Sequence, residues 1–372
     1  MTEHQAAWLT RRFAPLEVGE APISLPAAGQ ISVRNRAVAI NPIDRYKQQA
    51  GDLMYGWIRY PFVLGNDLAG EVVAVGPGVT RFQVGDRVVG HATGMEKARN
   101  APAEGAFQSH TLVLEQMASP IPDSMPYTQA AVLPLGLSTA ACGLFAADQL
   151  ALELPSHEPT ARDETVVIWG GSTSVGCNAI QLAVAAGYRV LTTASPHNQD
   201  RVRELGATEV FDHHSPTVVA DVRRSLAGRP LAGAMAIGDG SAAACIDVVA
   251  GSEHGRRVAI VTFPLRLDEM PPRPGYLTAL TWMVPRMLAG LLGLWWRARR
   301  QRVQTTVVWG TALMDTDLSR VIYERYLPQA LETGQHVPAP NAKVVGEGLG
   351  AIQAAFETHR AGVSAAKVVV AL

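Results

Sequence analysis

Short β-branched apolar runs alternate with segments of helical spacing through the middle of the chain. Between residues 165 and 262 the apolar runs are TVVIWG, YRVLTTAS, TEVFDH, AGAMAIG and RRVAIVT. Helical segments separate these runs, and the first of them extends from Ser174 to Gly187. Strands that alternate with helices in this way form a parallel sheet with right-handed crossovers. The pattern therefore predicts an α/β fold built on a doubly wound parallel sheet.

The regions on either side of this segment show a different pattern. Residues 70–92, GEVVAVGPGVTRFQVGDRVVGHA, contain short β runs separated by Gly, Pro and Asp, which is typical of antiparallel or barrel-like β structure. Toward the C-terminus, residues 316–333 are predicted to form one amphipathic helix, followed by an extended segment, a second helix and the closing strand KVVVAL. We predict a β-rich domain at 1–135, completed by 336–372, with the parallel-sheet domain at 136–335 inserted between the two pieces.

Composition and charge limit the class of protein. The 372 residues are 48% hydrophobic with a net charge of −1, which indicates two globular domains and gives no basic excess for nucleic acid. Cys142, Cys177 and Cys245 are far apart and lie among small or apolar residues, so we expect buried free thiols and a reducing compartment. The N-terminal MTEHQAAWLTRRF lacks the apolar core of a secretion signal, and a cytoplasmic location is expected.

The stretch VVIWGGSTSVG, residues 166–176, carries the clearest chemical signal. A strand runs into a glycine-rich turn and a helix, as in dinucleotide sites with the pattern G-x-G-x-x-G, although Thr173 replaces the middle glycine. Unpaired N–H groups and the positive end of the helix dipole suit a pyrophosphate. An ordinary strand–helix turn that needs glycine is the alternative, and the surrounding alternation favours a cofactor. The predicted contacts are Gly171, Ser172, Thr173, Ser174, Val175 and Gly176.

The end of the second strand, TTASPHNQDR at 192–201, indicates which dinucleotide binds. An NAD site has Asp or Glu there to accept from the ribose 2′-OH, whereas this chain has Thr193, Ala194 and Ser195. A carboxylate would repel a 2′-phosphate, and hydroxyl, imidazole, amide and guanidinium groups would bind it. We therefore predict NADPH rather than NADH, with a merely solvated helix start as the alternative. The predicted 2′-phosphate contacts are Ser195, His197, Asn198 and Arg201.

Four stretches resemble the medium-chain dehydrogenase/reductase superfamily: NPID (41–44), PFVLGNDLAGEVVAVGPGVTRFQVGDRV (61–88), LPLGLSTAACGLF (133–145) and WGGSTSVGCNAIQLA (169–183). Within it the chain is similar to the zinc-independent enoyl reductase and quinone oxidoreductase branch, and especially to the trans-acting enoyl reductases of polyketide synthesis. The resemblance implies a GroES-like β-rich catalytic domain and a Rossmann cofactor domain, with the active site in the cleft between them. Dimers are common in the superfamily, so a homodimer is left open.

The resemblance also indicates that no catalytic metal is present. Zinc-dependent members have a cysteine ligand where this chain has Asn41 and a histidine ligand where it has Asn66, and residues 91–110 lack the cysteines of a structural zinc lobe. His213 and His214 are adjacent, and adjacent residues of a strand point to opposite faces, which argues against a metal pair. The remaining predicted cofactor contacts are His213, by resemblance, and Phe263, which follows the strand RRVAIVT.

Without zinc to polarise a carbonyl, conjugate reduction is the reaction class that the sequence supports best. Hydride would add to the β-carbon of an enoyl or quinone substrate, donors would stabilise the enolate oxygen, and an acid would supply the α-proton. The candidate donors, in order, are Tyr46, Lys47 and Thr139, with water as the alternative proton source. The substrate is expected to be small and apolar, free or carrier-bound. A zinc-less carbonyl or alcohol oxidoreductase and a catalytically silent NADPH-binding protein are left open.

Residues 271–304 form an unusually apolar segment that includes three of the seven tryptophans. We predict no transmembrane helix there, because Pro285 and Arg286 interrupt the segment and the remaining run from Met287 to Trp296 is short. A lid over an apolar substrate channel or a subunit contact is favoured. Contact of residues 287–302 with a membrane surface, through RARRQR beside two tryptophans, is left open.

Overall fold

The computed structural model describes residues 4–265, 269–270 and 275–372. In chain order the strands are β1 (Gln5–Leu9), β2 (Leu16–Glu20), β3 (Gln30–Ala39), β4 (Phe62–Val63), β5 (Asp67–Val75), β6 (Arg87–His91), β7 (His110–Leu114), β8 (Ala118–Pro120), β9 (Thr165–Trp169), β10 (Arg189–Thr193), β11 (Glu209–Phe211), β12 (Leu231–Ala236), β13 (Arg257–Ile260), β14 (Gln304–Val307), β15 (Asn341–Glu347) and β16 (Ala366–Ala371). The helices are α1 (Pro42–Ala50), α2 (Tyr127–Ala130), α3 (Pro134–Phe145), α4 (Ser174–Ala185), α5 (Gln199–Glu204), α6 (Val218–Ser225), α7 (Ser241–Ala250), α8 (Tyr276–Gln301), α9 (Leu327–Thr333) and α10 (Ile352–Arg360).

Six strands in the middle of the chain form one sheet, in the order β11-β10-β9-β12-β13-β14, and every neighbouring pair is parallel. This order is that of a dinucleotide-binding Rossmann fold. Helices on both faces bury the central strands, which explains why β9 is buried along its whole length. The predicted doubly wound parallel sheet is therefore confirmed. No residue of the edge strand β14 is fully buried, and its sequence is of mixed polarity, so the apolar pattern does not predict it.

The remaining strands form the β-rich part of the molecule. Its larger sheet has the order β15-β16-β3-β5-β6-β8, with β7 also paired to β3, and a smaller sheet has the order β2-β1-β4. Apart from the parallel pair of β15 and β16, the pairs of the larger sheet are antiparallel. The antiparallel β structure predicted for the N-terminal region is thus confirmed, and the last strand, β16, completes it by pairing with β3. The domain boundaries at 135 and 336 stay predictions.

Helix α3 joins the two parts of the molecule. Nearly all its residues are buried, and it packs against α4 on one side and against β5 and β6 on the other. It carries Cys142, which is buried and free like Cys177 and Cys245, as predicted. Burial raises the pKa of Cys142 and of Cys177 to about 12. The thiols are therefore unreactive core residues.

The region predicted as one helix at 316–333 is interrupted. Arg320–Tyr326 adopts π-helical turns, and the regular helix α9 begins only at Leu327. Pro328, in the first turn of α9, has no N–H to donate, so the regular hydrogen-bond ladder cannot pass through this point. The amphipathic pattern was sufficient to indicate a helical region and insufficient to place the break.

The prediction that Pro285 and Arg286 interrupt the apolar segment is wrong. Helix α8 runs through Pro285 without a break for 26 residues, because one of its faces packs on the rest of the molecule, with Ala279, Met283 and Ala298 buried. Residues 271–274 of the segment lie outside the described residues. Among the residues described, two helical stretches are long and apolar enough to cross a membrane: 127–145, which is 83% buried within the molecule, and α8, which is 11% buried.

Candidate active site

The turn after β9 has the geometry that the sequence predicts for a dinucleotide site. Gly170 adopts a positive φ of 88°, and the Gly171 N–H donates to the Thr193 carbonyl oxygen of the neighbouring strand at 2.9 Å. Thr173 is the N-cap of α4, and its Oγ1 accepts from the Gly176 N–H at 3.0 Å. The threonine that replaces the middle glycine of the pattern therefore caps the helix.

Close packing explains the two glycines that the turn keeps. A Cβ atom on Gly171 would lie 2.2 Å from the Thr192 Oγ1, and a Cβ atom on Gly176 would lie 2.2 Å from the Gly170 carbonyl oxygen. The N–H groups in the first turn of α4 have few partners within the helix, so they can bind an anion. The turn and the helix N-terminus together fit a dinucleotide pyrophosphate. The other predicted contacts at this turn are the half-buried Ser172, Ser174 and Val175.

The remaining predicted cofactor contacts follow neighbouring strands of the same sheet. Ser195 follows β10, His213 lies just after β11, and Phe263 lies just after β13. The carboxyl ends of parallel strands meet at one edge, where open α/β sheets bind their ligands. The structure thus brings these residues to the same edge as the β9 turn, and their individual contacts with a cofactor stay predictions.

The polar side chains after Ser195 reach the C-terminal part of the chain. His197 Nε2 and Asn198 Nδ2 lie 3.0 Å and 3.1 Å from the Ser364 Oγ, and Arg201 Nη2 donates to the Asn341 Oδ1 at 2.7 Å. These groups bridge the two parts of the molecule instead of facing only solvent. Ser364 and Asn341 add polar groups beside the predicted 2′-phosphate site, and no local sequence pattern marks either of them.

The reason given against a metal pair at His213 and His214 is wrong. Strand β11 ends at Phe211, so the two histidines lie on a turn with their ring centroids 3.9 Å apart. With Asp212 they form a group of ligand atoms within 4.8 Å of one another on an exposed loop. Burial and the neighbouring His214 lower the pKa of His213. Clusters of this kind are frequent on protein surfaces, and the prediction of no metal stays a prediction.

Tyr46, the first candidate proton donor, lies on α1 and is half-buried in an apolar cluster. The cluster combines residues of α1 such as Ala50 with Trp282 and Met283 of α8. The Arg45 guanidinium lies over the Tyr46 ring, 4.8 Å from its centroid. A tyrosine set in an apolar wall can offer a hydroxyl to an apolar substrate, so this environment suits the predicted role.

Lys47, the second candidate, is fully buried beside it. Its Nζ donates to the carbonyl oxygens of Gly51, Met54 and Tyr55 at 3.1 to 3.2 Å and lies 3.5 Å from the Asp52 Oδ1. Burial lowers the pKa of Lys47, and the Asp52 carboxylate opposes that shift. The Lys47 ammonium therefore stabilises the loop that follows α1, and this structural role is not apparent from the sequence.

Thr139, the third candidate, lies in α3 at the junction of the two parts. Its Oγ1 donates to the Leu135 carbonyl oxygen of its own helix at 2.7 Å. The backbone after β14 approaches it so closely that a Cβ atom on Gly310 would lie 2.2 Å from this Oγ1. The three candidates therefore have different surroundings, and of the three only Tyr46 combines partial exposure with an apolar wall.

Asn41, which stands where zinc-dependent relatives have a cysteine ligand, belongs to a buried polar network. Its Nδ2 donates to the Asp67 Oδ2 at 2.9 Å, and its Oδ1 accepts from the Lys367 Nζ at 2.5 Å. The Lys367 Nζ also lies 2.9 Å from the same Asp67 oxygen. The antiparallel pairing of β16 with β3, in register at Val369 and Ala39, places Lys367 opposite Asn41.

Asn66, which stands where those relatives have a histidine ligand, extends the network. Its Nδ2 donates to the Asp44 Oδ1 at 2.5 Å, and the other Asp44 oxygen accepts from the Asn41 N–H at 2.8 Å. Burial raises the pKa of Asp44 to about 7, with the nearby Asp67 adding to the rise and Lys367 opposing it. Asp44 and Asp67 thus share a buried site with one ammonium group.

These residues do not fit a zinc ion. The amide nitrogens of Asn41 and Asn66 donate to carboxylates, so neither side chain offers the nitrogen or sulfur ligand that zinc prefers. The Lys367 ammonium already lies between the Asn41 and Asp67 oxygens. Lysine is rare in this chain, and of its four lysines two, Lys47 and Lys367, are buried.

Comparison with known proteins identifies the family. Residues 27–123 match the alcohol dehydrogenase GroES-like domain. The chain is 46% identical to dehydrogenase pigH of Monascus ruber over the whole of both chains, and 36% identical to trans-enoyl reductase himH of Aspergillus japonicus over 99% of this chain and 97% of the relative. An alcohol dehydrogenase superfamily protein from Novosphingobium aromaticivorans has the same fold, with a TM-score of 0.73 at 24% identity, over 99% of each chain. The protein belongs to the medium-chain dehydrogenase/reductase superfamily of oxidoreductases, in the group that includes the trans-enoyl reductases.

Proposed function

We propose that this oxidoreductase uses NADPH to reduce an activated C=C bond, in an enoyl thioester, an enone or a quinone, without zinc. The observation that carries the proposal is the network of Asn41, Asp67 and Lys367. The buried Lys367 ammonium lies against Asn41, one of the two asparagines that stand where zinc-dependent relatives have their ligands. Conjugate addition needs only a donor for the enolate oxygen and a source of one proton, and side chains can supply both.

Different residues of this chain bind the cofactor and assist the reaction. When bound, a reduced nicotinamide dinucleotide supplies a hydride. The turn from Gly171 to Gly176 binds its pyrophosphate, and the polar groups from Ser195 to Arg201 bind its ribose phosphate. The Tyr46 hydroxyl donates to the carbonyl oxygen that gains the electron pair of the C=C bond. In an enoyl thioester or enone the α-carbon then takes one proton, from Tyr46 or from water, and the product is the saturated carbonyl compound. A quinone that accepts the hydride takes the proton on oxygen instead, and its product is the hydroquinone.

The preference for NADPH rests on charge at the end of β10. An NAD site has an acid at the end of this strand, which accepts from the ribose 2′-OH, and this chain has Thr193 and Ser195 there. Neither side chain carries a negative charge that would repel a 2′-phosphate. His197 and Asn198 contact Ser364, and Arg201 contacts Asn341, so this region offers hydroxyl, amide and guanidinium donors for a phosphate.

The apolar cluster around Tyr46 supports an apolar substrate. Trp282 and Met283 of α8 form part of this wall, so the apolar helix α8 contributes to the surroundings of Tyr46. A relative of 36% identity is named a trans-enoyl reductase, which makes enoyl thioesters the first substrates to test.

A substrate panel tests the proposal. Purified protein is mixed with NADPH or NADH and with enoyl thioesters, enones, quinones or aldehydes, and nicotinamide oxidation is followed by absorbance. We expect turnover with at least one C=C substrate class, at least about tenfold tighter binding of NADPH than NADH, and full activity after exhaustive chelation. Turnover of aldehydes alone, or activity that chelation abolishes and zinc alone restores, would contradict the proposed reaction.

A further inference from the structure

Helix α8 carries a long apolar stripe that the protein leaves exposed. The stripe residues recur at spacings of about three and four, so they lie on one face of the helix. Their exposed fractions range from 37% to 73%, and at 1.5 Å per residue the stripe is about 29 Å long. The members of the stripe are Leu277, Val284, Leu288, Leu291, Leu292, Trp295 and Trp296.

The opposite face of α8 is the one that packs on the molecule. Ala279, Met283 and Ala298 are buried there, and Arg297 is tied to α7 by a bidentate pair with Asp247, in which its Nε donates to Oδ1 at 2.8 Å. Any contact of α8 with the interior of the molecule is made by this inner face. The stripe points away from it, and a continuous apolar surface of this size on a soluble protein marks an interaction site.

The charges beside the stripe indicate what covers it. Residues 275–304 contain five arginines and no Asp or Glu. Arg299, Arg300 and Arg302 are exposed at the C-terminal end of the stripe, and the Arg299 guanidinium lies over the Trp295 ring at 5.6 Å from its centroid. A second copy of this face would bring more arginine and no carboxylate, whereas lipid phosphates and carboxylates would neutralise these cations.

We propose that α8 is a docking helix for the surface of an anionic lipid bilayer. The leucines and tryptophans of the stripe enter the boundary between headgroups and acyl chains, and the arginines at its end pair with anionic headgroups. The helix lies along the surface and does not cross the bilayer, because crossing would remove its inner face from α7 and break the pair of Arg297 with Asp247.

Vesicle flotation tests the proposal with the full-length protein. The vesicles are phosphatidylcholine alone or phosphatidylcholine with about one third phosphatidylserine. The stripe variant Leu288→Gln/Leu292→Gln/Trp295→Gln removes apolar area, and the charge variant Arg299→Glu/Arg300→Glu reverses the cations. A matched control, Ile23→Gln/Leu25→Gln/Val84→Gln, changes three residues that are 72%, 84% and 65% exposed elsewhere on the surface. Circular dichroism and light scattering check the fold and the oligomeric state of each variant.

We expect the wild type to float with the anionic vesicles and to bind neutral ones at least about tenfold more weakly. Each α8 variant should lose about tenfold or more in affinity for the anionic vesicles, and the control should bind like the wild type. The proposal is overturned if the wild type does not float, or if the stripe variant floats equally well. It is also overturned if the stripe variant abolishes a wild-type dimer that does not bind vesicles, which would assign the stripe to a second copy of the chain.

Discussion

Tyr46 and Lys47 are neighbours on α1, and sequence alone ranks them as rival proton donors. The structure separates them, because the Lys47 ammonium is buried among backbone carbonyls and Tyr46 faces an apolar cluster. Tyr46→Phe should therefore lower kcat by roughly 10²-fold with little change in KM, since the lost hydrogen bond forms mainly in the transition state. Steady-state kinetics with the best substrate of the panel measure both constants, and NADPH affinity should be unchanged.

Lys47→Met serves as the comparison for that experiment. Removing the ammonium leaves three buried carbonyl oxygens without their donor, at a cost of about 1–3 kcal/mol in the free energy of unfolding. The variant should melt at a lower temperature and, at a temperature where it stays folded, turn over substrate. If Lys47→Met is folded and inactive while Tyr46→Phe is normal, the assignment of the donor is reversed. If both variants are active, the proton comes from water or from Thr139, and the assignment to Tyr46 is wrong.

Arg201 and Arg203 lie on the same helix, α5, and offer a matched test of the cofactor. Arg201 points to the Asn341 side chain beside the predicted phosphate site, whereas Arg203 pairs with Asp200 at the surface. Arg201→Ala should weaken NADPH binding by about tenfold or more and leave NADH binding unchanged, because only NADPH carries the phosphate. Arg203→Ala removes the same charge and should change neither constant. Fluorescence titration measures both, and equal losses for the two nucleotides would contradict the proposed role.

Among individual residues, the sequence predicts those whose role depends only on local geometry. The requirement for Gly171 and Gly176 arises within a single turn, so the pattern of residues 166–176 indicates it. No local pattern predicts the network of Asn41, Asp67 and Lys367, since strand register brings its members together across more than 300 residues. Asn41 and Asn66 support the prediction that zinc is absent, and they give no sign of the Lys367 ammonium that lies beside Asn41.

Among the elements, α8 differs most from its sequence prediction. Pro285 lacks the N–H of a helical residue and its ring crowds the preceding turn, which is why the pattern indicates a break. Packing along the inner face overrides this local preference and keeps the helix continuous. The strands β9, β10, β12 and β13 of the parallel sheet show the opposite case: their apolar runs agree with their burial, so local pattern and tertiary structure lead to the same result.

Pro285→Ala follows as a prediction for this helix. Pro285 is exposed, so the substitution costs no packing and restores one backbone hydrogen bond in the helix interior. The free energy of unfolding should rise by about 1–3 kcal/mol if α8 unfolds with the rest of the protein. Urea denaturation of the two proteins gives the difference. A less stable variant would show that the helix needs the proline, for example to follow the surface on which it packs.

On the scale of the whole molecule, the pH dependence of stability contains opposing contributions. His91 and His336 are fully buried, and burial lowers their pKa to about 4 and about 3. As the pH falls below about 6.5, the unfolded chain binds protons at these residues and the folded chain does not, so acid destabilises the fold. Asp44 acts in the other direction, because burial raises its pKa to about 7 and the folded state then binds a proton that the unfolded state has lost.

Asp44→Asn isolates the last of these contributions. The stability that a protonated Asp44 confers is complete below the unfolded pKa of about 4 and is lost as the pH rises to about 7. The wild type should therefore lose stability relative to Asp44→Asn between pH 4 and pH 7, with each unit of the shift worth about 1.4 kcal/mol, and the difference should be constant above pH 7. Urea denaturation of both proteins across this range measures the difference, in which the histidine contributions cancel. A difference that does not change with pH would mean that the Lys367 ammonium keeps Asp44 ionised in the folded protein, and the buried site would then hold two carboxylates against one cation.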